Sequence, residues 1–330
     1  MPAPKSVFVT GATGFIGSRL VPRLLKRGHH VTALARRPEQ AGHLRALGVQ
    51  LLRGDVTQPE SLTEGMQGAD WLLHLANHYS LHERDESIYT RVNVVGNRNV
   101  MRAALEAGVG KVVHVSSGVS YGISPDQPLR EDSRVGPFPN AYWRTKHLGD
   151  EEVWHLHRQG LPVTAVYPGG VVGANDPNAT GAWIRRLAQR RQPVRAFEDR
   201  GFTYVAVDDV AEAIVLAAER EDNVGERYLI GREFLTNRAF VELVAELAGS
   251  PLPPLVLPDR LAHLNAALLG RLEAWMGVRP VMDFTPSSAR HLAAGFRFGS
   301  EKAERELGLQ YTPVREAVAQ DLATFRPSAR

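Results

Sequence analysis

The sequence predicts an α/β fold, a doubly wound parallel sheet joined to a smaller, mostly helical C-terminal lobe. Three observations carry this. Short β-branched, near-continuously apolar runs alternate with longer helical patterns through the first half, the pattern of strands buried on both faces by crossover helices. A glycine-spaced turn, TGATGFIG (10–17), joins the first run to the first helix. After Gly231 the chain changes to helical stretches separated by proline clusters such as PLPPLVLP.

The predicted strands are SVFVT (6–10), HVTALA (30–35), VQLLRG (49–54), WLLHLA (71–76), KVVHVS (111–116) and LPVTAVY (161–167), with helices near 15–27, 59–67, 91–107 and 142–158 between them. Pro22 falls inside the first helix, where it is expected to delete a hydrogen bond to Ser18 and bend the axis. FTYVAVDDVAEAIVLAAE (202–219) reads as a further strand and helix of the same fold, and ERYLIG (226–231) as another strand. The arginine-rich segment 178–200 and the stretches 236–248, 259–276 and 301–307 read as the helical lobe. The expected organisation is a large unit over 1–177, to which 202–231 returns, and a lobe built from 178–201 and 232–330. Within 259–276, Leu261, Leu264, Leu268, Leu272, Trp275 and Met276 form one apolar stripe, read as core packing in preference to membrane contact.

Composition narrows the function classes. The 330 residues, 43% hydrophobic, suffice for a well-buried core. A net charge of +3, with neither sign gathered into a block, gives no case for a nucleic-acid partner. The chain has no cysteine, which removes disulfides, thiolate catalysis and Cys-ligated zinc together. No apolar run approaches the ~18–20 residues of a bilayer span, and the N-terminus does not read as a secretory signal, so a cytoplasmic protein without a membrane partner is expected.

The glycine turn marks a phosphate site. Gly11, Gly14 and Gly17 permit a tight turn, close backbone approach to a pyrophosphate and close packing of the helix on the sheet; the helix N-terminus offers unpaired N–H groups. Thr13, Phe15 and Ile16 complete this turn. The second strand ends in LARRP, with Arg36 and Arg37 where an acidic residue would bind a ribose 2′-hydroxyl. Guanidiniums there suit a 2′-phosphate, so NADP(H) is expected over NAD(H), which stays open. Asp55 and Val56 follow the third strand at the adenine edge, and Leu75, Ala76 and Asn77 follow the fourth beside the cofactor.

AYWRTKHLGD (141–150) then places Tyr142 and Lys146 four apart on a predicted helix, hence on one face. A phenol doing acid–base work near pH 7 wants a downward pKa shift of about 3 units, or about 4 kcal/mol. An ammonium about 4 Å away supplies on the order of 4 kcal/mol at an effective dielectric of 20.

Together with the SS…YG of HVSSGVSYG and the order of GDV (54–56), NVVGN (93–97), YPGGVV (167–172), VAVDDVAEA (205–213) and FGSEKAERELG (298–308), these features resemble the extended short-chain dehydrogenases/reductases, the epimerase/dehydratase superfamily. The arginine-ended second strand is most similar to the dihydroflavonol-reductase and 3β-hydroxysteroid-dehydrogenase side. The resemblance implies a Rossmann dinucleotide-binding domain and an NADP(H)-dependent oxidoreductase interconverting a carbonyl and a secondary alcohol on a small molecule. It implies Tyr142 as proton donor or acceptor, Lys146 on the nicotinamide ribose and lowering the tyrosine's pKa, and Ser117 on the substrate oxygen. Tyr167, Pro168, Gly170 and Val171 would flank the nicotinamide, although Tyr167 stands where relatives commonly have arginine. The loop ANHYSLHERDE (76–86) is unusually rich in His and charge; His78 and Tyr79 are substrate-contact candidates. His78 and His82, four apart with Glu83 adjacent, have no identifiable third ligand for a metal, and His155 and His157 are assigned no role. A homodimer is common to the family and is not required by this sequence. Two alternatives remain. One is a sugar-nucleotide epimerase or dehydratase retaining NAD(P), for which WIRRLAQRRQPVR (183–195) offers a basic patch; the other is an NADP(H)-binding sensor without chemistry.

Overall fold

Seven parallel strands form the central sheet of this computed structural model, which describes residues 3–81, 83–124, 126–276 and 284–325. In chain order the first elements are β1 (Ser6–Thr10), α1 (Gly17–Lys26), β2 (His30–Ala35), α2 (Gly42–Ala46), β3 (Gln50–Arg53), α3 (Thr63–Met66), β4 (Trp71–His74), α4 (Ser87–Tyr89), α5 (Asn97–Glu106), β5 (Lys111–Val115), α6 (Ala141–His157) and β6 (Val163–Pro168). The chain continues through β7 (Gly170–Val172), α7 (Ala179–Ala188), β8 (Val194–Arg195), β9 (Gly201–Ala206), α8 (Val207–Glu219), β10 (Arg227–Ile230), β11 (Glu233–Thr236), α9 (Asn237–Ala248), β12 (Leu255–Val256), α10 (Asp259–Met276), α11 (Pro286–Ala294), α12 (Glu301–Leu307) and α13 (Val314–Phe325).

The sheet order is β3-β2-β1-β4-β5-β6-β10, parallel throughout. The order reverses between β1 and β4, and ligands of such sheets bind outside the carboxyl ends at that point. Strands that are apolar on both faces demand two cores, and two are present. One packs Val7, Val9 and Val113 against Leu20 and Leu24 of α1 and Ile214 of α8. The other packs Phe8, Leu72 and Val112 against Met101 of α5 and Trp143 and Val153 of α6. Residues 301–307, expected in the lobe, form α12, whose Ala303 and Leu307 join the first core beside α8 and β10.

Several expectations are corrected. Residues 202–206 do not extend the central sheet: β9 pairs in parallel with β7 and antiparallel with β11 in a separate three-stranded sheet. A run buried at every position looks the same whichever sheet it joins. Pro22 does lie inside α1, as expected, and the helix runs through it; the proline is exposed, so the carbonyl it leaves unpaired is on the solvent side. The 59–67 helix splits into a 3₁₀ turn, Pro59–Ser61, and α3, and the start of the 91–107 helix is a π-helix, Thr90–Gly96.

The largest correction concerns α10. Its leucines do not pack into a core: Leu261, Leu264, Leu268 and Leu272 are 51, 55, 55 and 44% exposed. The buried face carries Ala262 and Ala266, which pack with Phe197 and Ala289. The side chains of Trp275 and Met276, the end of the predicted stripe, lie outside the described residues. No helix among the described residues is long and apolar enough to cross a membrane.

Candidate active site

The turn after β1 brings Gly11, Gly14, Phe15, Ile16 and Gly17 to the wall of one cavity of about 510 Å³. Gly11 has φ +75°, and a Cβ there would stand 2.8 Å from the backbone of Leu75 and Ala76. At Gly17 a Cβ would be 2.3 Å from the Gly11 carbonyl oxygen. Only glycine lets this turn close on itself. α1 then starts with no side-chain cap and no acidic residue in its first turn, so its first N–H groups and the positive end of its dipole face whatever occupies the turn. These features fit a dinucleotide diphosphate.

The adenosine end is more open. Arg36 and Arg37 are exposed at the carboxyl end of β2 and, among the described residues, hold no ion pair; the nearby Arg53 and Glu39 pair with each other at 2.8 Å. Asp55 closes its own turn, Oδ1 accepting from the Thr57 N–H at 2.9 Å, and Val56 is buried beside it. These four residues, with Thr13, lie outside the cavity lining.

On the other wall, α6 presents Tyr142 and Lys146 to the cavity, and the turn after β5 presents Ser117. α6 starts where Asn140 accepts from the Trp143 N–H at 3.0 Å, which fixes the phase of the helix and hence the face that carries the pair. Lys146 Nζ donates to Asn77 Oδ1 at 2.8 Å, and Asn77 Nδ2 donates to the Val115 carbonyl. The tyrosine is not depressed as expected. Burial pushes its phenol up, and a hydrogen bond with Ser117 opposes that only in part. Burial also lowers Lys146 to about 8, partly countered by Asp150 one turn on. Tyr142 is therefore a neutral O–H donor throughout the physiological range, and Lys146 is the group that titrates near it.

The candidate loop is held from below. The His78 N–H donates to Asn93 Oδ1 at 2.7 Å and Asn93 Nδ2 returns a bond to the His78 carbonyl. Asn93 lies in the π-helix, a distortion that often accompanies a functional site. His78 Nε2 is bonded to Glu83 Oε1 at 2.8 Å, and His82 lies outside the described residues. Among the described residues no His, Asp and Glu cluster could hold a metal ion. The Tyr79 ring meets Tyr142 edge-on at 5.1 Å, and both His78 and Tyr79 line the cavity.

Pro168, Gly170 and Val171 line the cavity with Leu75 and Asn77, whereas the Tyr167 ring does not. Its hydroxyl accepts from Trp154 Nε1 at 3.1 Å, behind α6, in a smaller cavity shared with Arg227. Ala76 contributes its N–H to Thr10 Oγ1 beside the glycine turn.

The far end of the cavity mixes aromatic and aliphatic residues, including Leu81, Trp183, Phe202, Tyr204, Phe284 and Phe296, with polar and charged ones, including Asp176, Arg186, Arg195, Glu198 and Asn237. His291 of α11 also lines it, and sequence reasoning gave it no role. The Trp143 indole N–H, which can only donate, is bonded to His291 Nδ1 at 2.9 Å. Nδ1 is thereby the acceptor and Nε2 carries the hydrogen. Burial lowers this histidine to about 4, and its ring stacks on Phe202 at 4.8 Å. The result is a neutral, fixed donor in an apolar wall.

Residues 7–231 match the model of the NAD dependent epimerase/dehydratase family. Sterol demethylase protein B of Methylococcus capsulatus is 37% identical over 97% of the chain and 98% of its own length. A putative dihydroflavonol 4-reductase of Synechocystis sp. is 31% identical over 97% of the chain and 94% of its own. The crystal structure of gox2253 superposes with a TM-score of 0.82 at 32% identity, covering 97% of this chain and 98% of that one.

Proposed function

Because the chain belongs to the NAD dependent epimerase/dehydratase family and is an NAD(P)-dependent oxidoreductase, we propose that it uses NADPH to reduce a ketone on a lipophilic molecule, with Tyr142 as the proton donor. One observation carries this: the glycine turn, Ser117, Tyr142 and Lys146 open into a single cavity whose remaining wall carries an aromatic and aliphatic set, Leu81, Trp183, Phe202, Phe284 and Phe296, beside polar residues such as Asp176, Arg186 and Glu198. Bound at the turn, the dinucleotide supplies a hydride to the carbonyl carbon. The chain's own residues do the rest. Ser117 and the Tyr142 O–H hold the carbonyl oxygen and stabilise the negative charge that builds there, and the phenol gives up its proton as the alcohol forms. A phenol raised by burial is suited to donation, since it stays protonated until the oxygen demands the proton. Lys146, fixed by Asn77, keeps a cation beside the reacting groups.

The epimerase reading draws on the arginines of 183–195, of which Arg186 and Arg195 line the cavity. Arg195 is already spoken for, bonded to Glu198 at 2.8 Å and to the Pro253 carbonyl. A lining that carries its own carboxylate beside the guanidinium favours an uncharged ligand over a sugar diphosphate.

The test is a panel of aliphatic, aromatic and steroidal ketones with NADPH or NADH, run beside UDP-glucose with no added nucleotide. Oxidation of NADPH by the apolar ketones is expected; epimerisation of UDP-glucose without cofactor would overturn the reading. In the same assay Arg36→Ala should raise KM for NADPH about 10- to 100-fold and leave KM for NADH unchanged, the loss of one charge-assisted phosphate contact. For a ketone with a second oxygen, His291→Phe should raise KM roughly tenfold with kcat little altered, as expected when a hydrogen bond common to ground and transition states is lost.

A further inference from the structure

We propose that the outer face of α10 seats the protein on an anionic lipid surface. At 100° per residue, Leu261, Leu264, Leu268 and Leu272 occupy an arc of about 80°, and all four are about half exposed. Arg260 and Arg271 fall about 20–40° beyond one edge of that arc; both are exposed and, among the described residues, neither is ion-paired. Asp259 falls on the opposite side of the wheel. Leucines flanked by uncompensated arginines are the arrangement that buries an apolar face at the acyl boundary while the cations meet lipid phosphates.

Two further facts single out a membrane over a second copy of the chain. Four half-exposed leucines offer roughly 350 Å² of apolar area, below the ~800 Å² per partner of a stable protein interface but enough for shallow insertion. The segment that leads into the helix is exposed in the same way, Leu255 by 57% and Val256 by 48%. The flank of α10 next to the leucines is part of the cavity wall, through Asn265, about 20° beyond the other edge of the arc. The substrate cavity and the outer leucines thus share one helix, and on the function proposed above a lipophilic ketone would reach the site from the lipid. The docking itself does not depend on that function.

The experiment is co-sedimentation of the full chain with vesicles of phosphatidylcholine alone and of phosphatidylcholine and phosphatidylglycerol in equal parts, at low and high salt. The wild type is expected to pellet with the anionic vesicles at low salt and to be at least tenfold depleted from the pellet in the L264E/L268E variant. R260Q/R271Q should lose the preference for anionic over neutral vesicles. All variants alter exposed side chains, and circular dichroism melting confirms their fold; L264S/L268S serves if the glutamates disturb it. A wild type that stays in the supernatant, or pellets equally with and without the leucines, overturns the proposal. So does a solution dimer that L264E/L268E converts to monomer without any vesicle binding. Ketone reduction measured in parallel without vesicles separates failure of this proposal from failure of the functional one.

Discussion

Tyr142→Phe is expected to lower kcat for ketone reduction by about a thousandfold while leaving NADPH affinity within about twofold, because removing a positioned proton donor typically costs 10²- to 10⁴-fold. The fold should be unaffected. The ring is packed edge-on against Tyr79 at 5.1 Å and within 6.2 Å of Tyr89, contacts that phenylalanine keeps. Burial that raises the phenol also means that the residue carries no charge to lose, so the difference in melting temperature between variant and wild type should change little between pH 6 and 9. Stopped-flow reduction with fluorescence titration of NADPH separates the two effects. A variant with near-normal kcat would remove Tyr142 from the chemistry.

The second large effect is at Lys146. Its ordinary value is 10.5, and burial lowers it to about 8 in the folded chain. Between those values the unfolded chain holds more protons than the folded one, so the ammonium is a cost to folding that is fully present below pH 8 and disappears as pH rises through the folded value toward the unfolded one. Lys146→Met removes that cost, offset in part by leaving Asn77 Oδ1 without its donor. A net gain on the order of 1 kcal/mol in stability at pH 7 is expected, shrinking by pH 9.5. Activity should move the other way, with kcat/KM down by about 10²-fold or more if the cation both holds the nucleotide and supports proton transfer. For the wild type, kcat/KM for ketone reduction should be flat below pH 8 and fall above it. Lys146→Arg, which stays charged, should keep the plateau to higher pH. A wild-type profile that crosses pH 8 without a break would separate Lys146 from the reaction.

The sequence carried the sheet and its nucleotide end well, because both are written in local terms: apolar strands of the right length, three glycines at a βα turn, and a tyrosine and a lysine one helical turn apart. What it hid depends on which surface meets which. Residues 202–206 and a strand of the main sheet are equally apolar, and only the pairing of β9 with β7 distinguishes them. Tyr167 sits in a motif that the family resemblance places beside the cofactor, yet its ring turns into the core under α6, against Trp154, and away from the cavity. His291 is a single polar residue with no motif around it, fixed by Trp143, which is distant in sequence; Asn93 opens the motif NVVGN, but the π-helix that holds it against the His78 loop has no sequence signal. The leucines of α10 make an apolar stripe whether covered or bare. The signal that distinguished the cases was the face carrying Ala262 and Ala266, where small residues let the helix lie close.

The pKa of the central tyrosine shows the same limit. Spacing predicts that Lys146 shares a face with Tyr142, and it does. Spacing does not reveal that Asn77 holds the ammonium, or that burial outweighs Ser117 at the phenol. On the function proposed above, a phenol kept neutral in this way serves as a proton donor for reduction.

A crystal structure of the chain with NADP⁺ tests the central claim most directly. The diphosphate is expected at the turn of Gly11, Gly14 and Gly17, the 2′-phosphate at Arg36, and the nicotinamide between Pro168–Val171 and Tyr142, with the phenol hydroxyl turned to the reactive face. A nucleotide bound elsewhere, or a phenol directed away from the nicotinamide, would contradict it.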